Sequence, residues 1–397
     1  MKRSITLLLL SVALFAIQSK TFATIRRVNF TQSATPVNGI DYNTFQLAHD
    51  ASVIGDTIQI YPPTGGGSAG ITGIVSKRLV ILGPGYFYNS YTTYADIPNA
   101  SLQLIPGGIP NNDEYNFTIS FGSAGTIFQG INGITLGTST VSDSLNSITV
   151  SRCYNANFNF NNNGVCNNWL ISQCFGVQVN QGGYDATFTS NRTVTNLRIE
   201  NCINPIINYS ATGGQSPVGV NSGQILNCNY VGFTSRDIDL NNSVFVIQNC
   251  VDAAGILGNL VGTGNSVSGN SNTIFLNNLT ISGSNTYVAT NPGSANNYFN
   301  LATGSNSVFV GFPSNVNGST ILYSSDAKWQ LATNSVAKNA GIIPGTSTAT
   351  DCGMYGGTNP YKASGIPAVP AFYKLSAPSS TATTSPYTIT FSARSNN

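Results

Sequence analysis

Val150-Ser151-Arg152-Cys153, Ile171-Ser172-Gln173-Cys174, Ile199-Glu200-Asn201-Cys202, Ile225-Leu226-Asn227-Cys228 and Ile247-Gln248-Asn249-Cys250 are five copies of one short pattern. Each reads aliphatic, any residue, polar, then Cys. A sixth copy, Leu276-Asn277-Asn278-Leu279, puts Leu in the Cys position, and a weaker one, Phe128-Gln129-Gly130-Ile131, precedes them. Successive anchors lie 22, 21, 28, 26, 22 and 29 residues apart. Inward residues two apart, such as Leu197 and Ile199, describe a strand with one buried face. A strand repeating every 20 to 30 residues without helical periodicity is one turn of a β-solenoid. The Leu-x-x-Leu-x-Leu frame of leucine-rich repeats is absent, and the Asn and Gly density excludes helical repeats.

Stacked turns bring equivalent residues about 4.8 Å apart. Cys153, Cys174, Cys202, Cys228 and Cys250 therefore form a structural ladder. Parallel stacking points the thiols the same way, which disfavours disulfides. No C-x-x-C or zinc-ligand spacing occurs, so the ladder reads as small buried side chains rather than a metal or redox centre. The polar residue before each Cys is expected to stack as well, in an amide ladder.

Composition fits this reading. The 397 residues hold 16 Lys+Arg against 14 Asp+Glu, so only 8% are charged, while 49 are Asn and 41 Gly. The polar surface is built from amides and hydroxyls. Without basic clusters the chain is no nucleic-acid binder. Met1–Ala23 reads as a secretory signal: Lys2 and Arg3, then a 13-residue apolar core from Ile5 to Ile17, too short to span a bilayer. Its removal takes Lys2, Arg3 and Lys20, leaving 13 basic and 14 acidic residues. The expected destination is extracellular or the cell surface, with the periplasm as an alternative, and no later segment is apolar enough to span a membrane.

The ends of the array carry different signals. Asp41–Val53 has the one helical pattern, with Phe45, Ala48 and Ser52 on one face and Asp41 or Asn43 as N-cap. It reads as a cap helix feeding the strand Thr57–Tyr61. Pro360–Ser385 reads as a linker or surface-hugging tail, and Tyr387–Phe391 as a free terminal strand open to self-assembly. The expected organisation is a signal peptide (1–23), an N-terminal cap (24–60), a solenoid of roughly 8–10 turns (61–325), a closing segment (326–360) and a tail (361–397).

Two stretches carry a family likeness. Phe45–Ala51 followed by Gly55-Asp56-Thr57-Ile58 resembles the opening of right-handed parallel β-helix proteins of the pectate-lyase-like superfamily. Leu331, Ser335, Ala340-Gly341 and Asp351-Cys352-Gly353 look like the closing segment of secreted bacterial members. The resemblance implies an all-β, right-handed parallel β-helix. It implies no single function, because this fold hosts lyases, hydrolases and binding proteins alike. Lyases of this fold use Arg or Lys with calcium-binding Asp, and hydrolases use Asp on neighbouring turns. Those motifs are not matched here.

The outward positions four and two before each Cys carry only Arg198 and Glu200 as charged groups, which read as a surface ion pair. Thr149, Leu170, Gln224, Val246 and Phe275 complete one row. Ser151, Ser172, Leu226, Gln248 and Asn277 complete the other. Arg236, Asp237 and Asp239 are the catalytic candidates if the protein is an enzyme, and the same Asp pair is the one place for calcium. Asp252 would supply a second acidic turn. Tyr86, Phe87, Tyr88, Tyr91 and Tyr94 form an aromatic cluster, either a glycan platform or a cover over the first turns; Tyr86, Tyr88, Tyr91 and Tyr94 are the candidate ligand residues. His49, the one histidine, reads as cap packing, and Asp56 and Asp351 as structural acceptors. The leading expectation is an exported, non-catalytic protein with a structural, adhesive or glycan-binding role. A polysaccharide lyase or hydrolase, and a fibre or surface-layer subunit, are the competing readings.

Overall fold

A computed structural model describes residues 23–30, 39–61, 71–83, 85–86, 115–138, 145–160, 165–180, 193–208, 221–231, 243–253, 273–280, 295–297, 308–311, 316–317, 320–321, 326–363, 371–376 and 389–394. The chain winds into a right-handed parallel β-helix. Eleven strands form a first parallel sheet, running from Asp41–Tyr42 and Ile25–Val28 through Thr149–Ser151 to Ile274–Leu276. Nine form a second, from Ile71–Val75 to Leu279–Thr280, and three a short third sheet, Leu145–Asn146, Val165–Asn167 and Thr193–Thr195.

The repeat anchors stack as one inward row of the first sheet. Ile58, Ile81, Phe128, Val150, Ile171, Ile199, Ile225, Ile247 and Phe275 are register partners in succession, each at most 4% exposed. This side-chain stack is the core, and it is continuous because every turn contributes the same face.

Between first and second sheets the chain turns through one left-handed residue. Arg152, Gln173, Asn201, Asn227, Asn249 and Asn277 have φ between 52° and 57°. That conformation is costly for most side chains and least so for Asn, which explains the Asn before the Cys positions.

The register corrects one reading. Phe275 pairs with Ile247, so the sixth rung of the cysteine ladder is Asn278 and not Leu279, which instead pairs with Val251. The repeat therefore begins at Phe275, and Ile274 and Leu276, rather than Phe275 and Asn277, hold the outward positions of that turn. Asn278 is the better rung physically, as the hydrogen bonds below make plain.

The cap helix runs Phe45–Ala51, with Phe45, Ala48 and His49 buried. Its N-cap is Thr44, whose hydroxyl accepts from the Leu47 amide, in place of Asp41 or Asn43. Asp41 instead lies in a short strand and pairs with Arg27. Phe45 closes the end of the core against Phe117, ring centroids 4.6 Å apart, and sits where any side chain at Gly73 would collide.

The terminal strand is not free. Thr390–Arg394 pairs antiparallel with Ala371–Ser376, so part of the expected linker is a strand, and the pairing begins three residues later than Tyr387. An alternating segment exposes two rows of unmet backbone groups, and hairpin formation satisfies one of them.

Candidate functional site

The two outer faces of the solenoid present similar residues in different states. On the first sheet, a segment of residues 341–361 lies across the left-handed corners. The Asn249 Nδ2 donates to the Ile342 carbonyl (2.9 Å), and Asn227 Nδ2 to that of Asp351 (3.0 Å). Asn201 Nδ2 donates to the carbonyls of Met354 and Gly356 (2.9 and 2.6 Å), and Gln173 Nε2 to the Asn359 side-chain oxygen (2.6 Å). This strap climbs from the later turns to the earlier ones. The corner amides thus serve it more than each other. The rung-to-rung bonds among them are Asn249 to Asn227 at 3.4 Å and Arg152 Nε to Gln173 Oε1 at 2.8 Å.

Under the strap, Ser151, Ser172, Glu200, Leu226 and Gln248 are at most 8% exposed. Glu200 receives Arg198 Nε at 2.6 Å and Asn359 Nδ2 at 3.2 Å, so the ion pair also holds the strap. Half of what sequence marks as an outward face is therefore interior.

The tyrosine cluster divides. Tyr86 is 1% exposed and its hydroxyl pairs with that of Tyr361, which donates to buried Asp326 at 3.0 Å. Its ring packs on Tyr154. Tyr86 is a packing residue at the end of the strap and not a platform for sugar; burial raises its phenol well above the usual range. Tyr88, Tyr91 and Tyr94 lie outside the described residues, as do Phe87, Arg236, Asp237, Asp239 and the signal segment. Asp252 is fully buried, in a strand between Tyr230 and Thr280, and cannot line a surface groove. Asp56 accepts the Thr24 and Val53 amides, and Asp351 that of Asn339.

The cysteines are buried and unpaired. Each ladder thiol donates to the carbonyl two residues back, at 3.2–3.5 Å. The Cys153, Cys174 and Cys228 amides point to the sulfur of the following rung, at 3.4–3.5 Å. Asn278 fills the next rung with an amide: its Oδ1 accepts from the Cys250 amide (2.9 Å), as the sulfurs do at those rungs, and its Nδ2 donates to the Ile247 carbonyl on the preceding turn (2.8 Å). Asn297 repeats this for Asn278. The ladder is thus a row of small bridging groups at a corner where backbone groups lack sheet partners, and more than an apolar filler. Burial raises the Cys153, Cys202 and Cys250 thiols and pushes Cys166 and Cys352 up to about 12, so these sulfurs are poor nucleophiles.

Among the described residues, no segment lies across the second sheet's outer face as the strap does across the first. Strand register aligns Thr72, Asn116, Thr135, Asn157 and Gln178 in one row, and Ile74, Thr118, Gly137, Asn159 and Asn180 in the next. At the later turns the amides pair among themselves: Asn180 Nδ2 to Asn159 Oδ1 and Gln178 Nε2 to Asn180 Oδ1, both 3.0 Å. Nearer the cap the rows form a concavity of about 510 Å³, lined by Gln46, Thr72, Ile74, Asn116, Thr118, Thr135 and Gly137 among others. The side chains of Thr72, Asn116, Thr118 and Thr135 make no hydrogen bond in the described structure, and Ile74 is 53% exposed beside them. Such a lining offers neutral donors and acceptors with one apolar contact. Among the described lining residues there is no carboxylate or base for general acid–base chemistry.

Sequence reading missed this cleft because it followed only the strand before each Cys. The alternation in Tyr115-Asn116-Phe117-Thr118-Ile119 marks the second strand equally well. Among the described residues no group of three or more His, Cys, Asp or Glu side chains is placed to hold a metal ion, and no helix is long and apolar enough to cross a membrane.

No family model and no curated protein matches the chain. Among solved structures, the crystal structure of pectate lyase Pel9A superposes with a TM-score of 0.46 at 16% identity, covering 86% of this chain and 98% of that one. No residue role is transferred from it.

Proposed function

We propose that this protein is an exported, non-catalytic β-helix that binds an uncharged, hydroxyl-rich glycan on the open face of its second sheet. The observation that carries the reading is the set of four unpaired neutral side chains, Thr72, Asn116, Thr118 and Thr135, gathered in one concavity. Sugars present hydroxyls that both donate and accept, with C–H patches between them. Amide and hydroxyl groups beside exposed Ile74 match that chemistry, and a site built from a few convergent polar groups is the usual form of a ligand pocket. The same lining argues for a neutral glycan over a polyuronate, which would call for Lys, Arg or a bound cation. Export rests on the Met1–Ala23 signal pattern.

Affinity electrophoresis in gels containing galactomannan or xylan, with polygalacturonate as the anionic control, tests the reading. Retardation by a neutral polymer, weakened at least about fivefold by Thr118→Ala or Gly137→Val, is the expected result; fivefold corresponds to about one hydrogen bond. Gly137 faces open space, so a side chain there fills the cleft without touching the fold. Release of reducing ends or unsaturated uronides that is lost in Asp237→Asn or Asp239→Asn would install the enzyme reading instead.

A further inference from the structure

The strand Ile71–Val75 ends the second sheet, and a terminal strand leaves a row of backbone N–H groups without sheet partners. The cap helix meets two of them with side chains. Gln46 Oε1 accepts the Ile74 amide at 2.9 Å, and His49 Nε2 accepts the Ser76 amide at 3.1 Å. Because Nε2 accepts, His49 is neutral and its proton sits on Nδ1, from which it donates to Asp50 Oδ1 at 3.0 Å. Gln46 Nε2 donates to the same Asp50 oxygen at 2.7 Å. Gln46, His49 and Asp50 form one network, and both it and the strand it holds border the cleft: Gln46, Thr72 and Ile74 are cleft residues.

We infer that His49 is an acid-releasable clamp that positions the cap-side wall of the cleft. This rests on the glycan reading only for its consequence, not for the clamp itself. A protonated imidazole has two donors and no acceptor, so it cannot hold the Ser76 amide. Asp50 stands ready to neutralise the imidazolium, so protonation releases the strand without leaving a bare buried charge. Lys77 is a further charged group at this end, its ammonium bonded to the carbonyls of His49, Asp50 and Ser52 at 2.9–3.0 Å, and Arg78 follows it, with its side chain beside Gly125. The charges on the neighbouring strands are already paired, Arg26 with Asp56 and Arg27 with Asp41. The sign follows: the clamp holds while the imidazole is neutral and is lost once acid protonates it.

His49 is the single histidine of the chain, so its ring signals in nuclear magnetic resonance are unambiguous. The test is a pH titration of the full protein, following those signals together with amide exchange at Ser76, corrected for intrinsic rate, with Val251 as the interior control. Val251 is buried and donates to the Cys228 carbonyl on the later turns, away from the strand the clamp holds. The expected result is an Nδ1-protonated ring at neutral pH and a roughly fivefold loss of Ser76 protection that tracks protonation of the ring, while Val251 stays protected. His49→Gln, which keeps an acceptor at every pH, should remove the pH dependence. Ser76 protection that ignores protonation of the ring, or a loss shared equally by Val251, would overturn the clamp. Retardation in galactomannan gels, repeated across the same pH range, then separates the two claims. Binding that is absent at every pH defeats the glycan reading and leaves the exchange result to decide the clamp. Binding that is present but indifferent to the release of Ser76 defeats the coupling of clamp to cleft.

Discussion

The outer faces of the first and second sheets start from the same vocabulary of Asn, Gln, Ser and Thr and end in opposite states. On the first, the strap of residues 341–361 supplies carbonyls to the corner amides of Gln173, Asn201, Asn227 and Asn249, and the row beneath becomes interior. On the second, Thr72, Asn116, Thr118 and Thr135 keep their hydrogen-bonding capacity toward solvent. An amide-rich surface is thus not evidence of a binding face by itself. What decides is whether another stretch of the same chain has already met it. Removing a buried partner leaves an unsatisfied group and costs about 1–3 kcal/mol, whereas trimming an exposed one costs little stability.

Breaking the strap should have the largest effect. Gly353 has a φ of 85°, and a Cβ there would sit 2.3 Å from the Asn229 side-chain oxygen. Gly353→Val therefore combines backbone strain with a clash at a fixed partner and is expected to cost about 3 kcal/mol or more, read by chemical denaturation. A variant within 1 kcal/mol of the parent would mean that the strap is not tightly seated. Asn201→Ala comes next. It strips two strap carbonyls of their donor and removes the side chain that best tolerates a φ of 54°, so a loss of about 2–3 kcal/mol is expected in the same assay.

The cysteine ladder sharpens the comparison at the core. Cys202→Val keeps the site apolar, adds one methyl group and leaves the Cys174 amide without its acceptor, for an expected loss of about 1–2 kcal/mol. All seven thiols are buried and unpaired, so alkylation of the native protein should be slow and should reach every cysteine once it is denatured. Cysteines found already paired would contradict the stacked register.

The repeat, the inward stack and the cap helix are legible in the sequence because they depend on local periodicity. Ile199 and Ile225 fall on one row whatever surrounds them. The position of the sixth rung was not, since Leu276-Asn277-Asn278-Leu279 fits the pattern in two frames and only the pairing of Phe275 with Ile247 selects one. The strap was legible as a segment but not as a cover, because its contacts join residues more than 90 positions apart, such as Gln248 and Ile342. Another long-range contact, between Tyr86 and Tyr361, turned one tyrosine of the expected sugar platform into packing. The open cleft was hidden for a different reason: its residues come singly from neighbouring strands, and no short motif gathers them.

The contrast between the two faces is tested most directly by one paired measurement: Asn116→Ala and Asn201→Ala, each assayed for unfolding free energy and for retardation in galactomannan gels. The account predicts a crossed result. Asn116→Ala should stay within about 0.5 kcal/mol of the parent in stability, as exposed positions do, and lose retardation. Asn201→Ala should lose about 2–3 kcal/mol and, where folded, keep it. Equal stability losses in both variants, or retardation untouched by Asn116→Ala, would contradict the division into a structural face and a binding face.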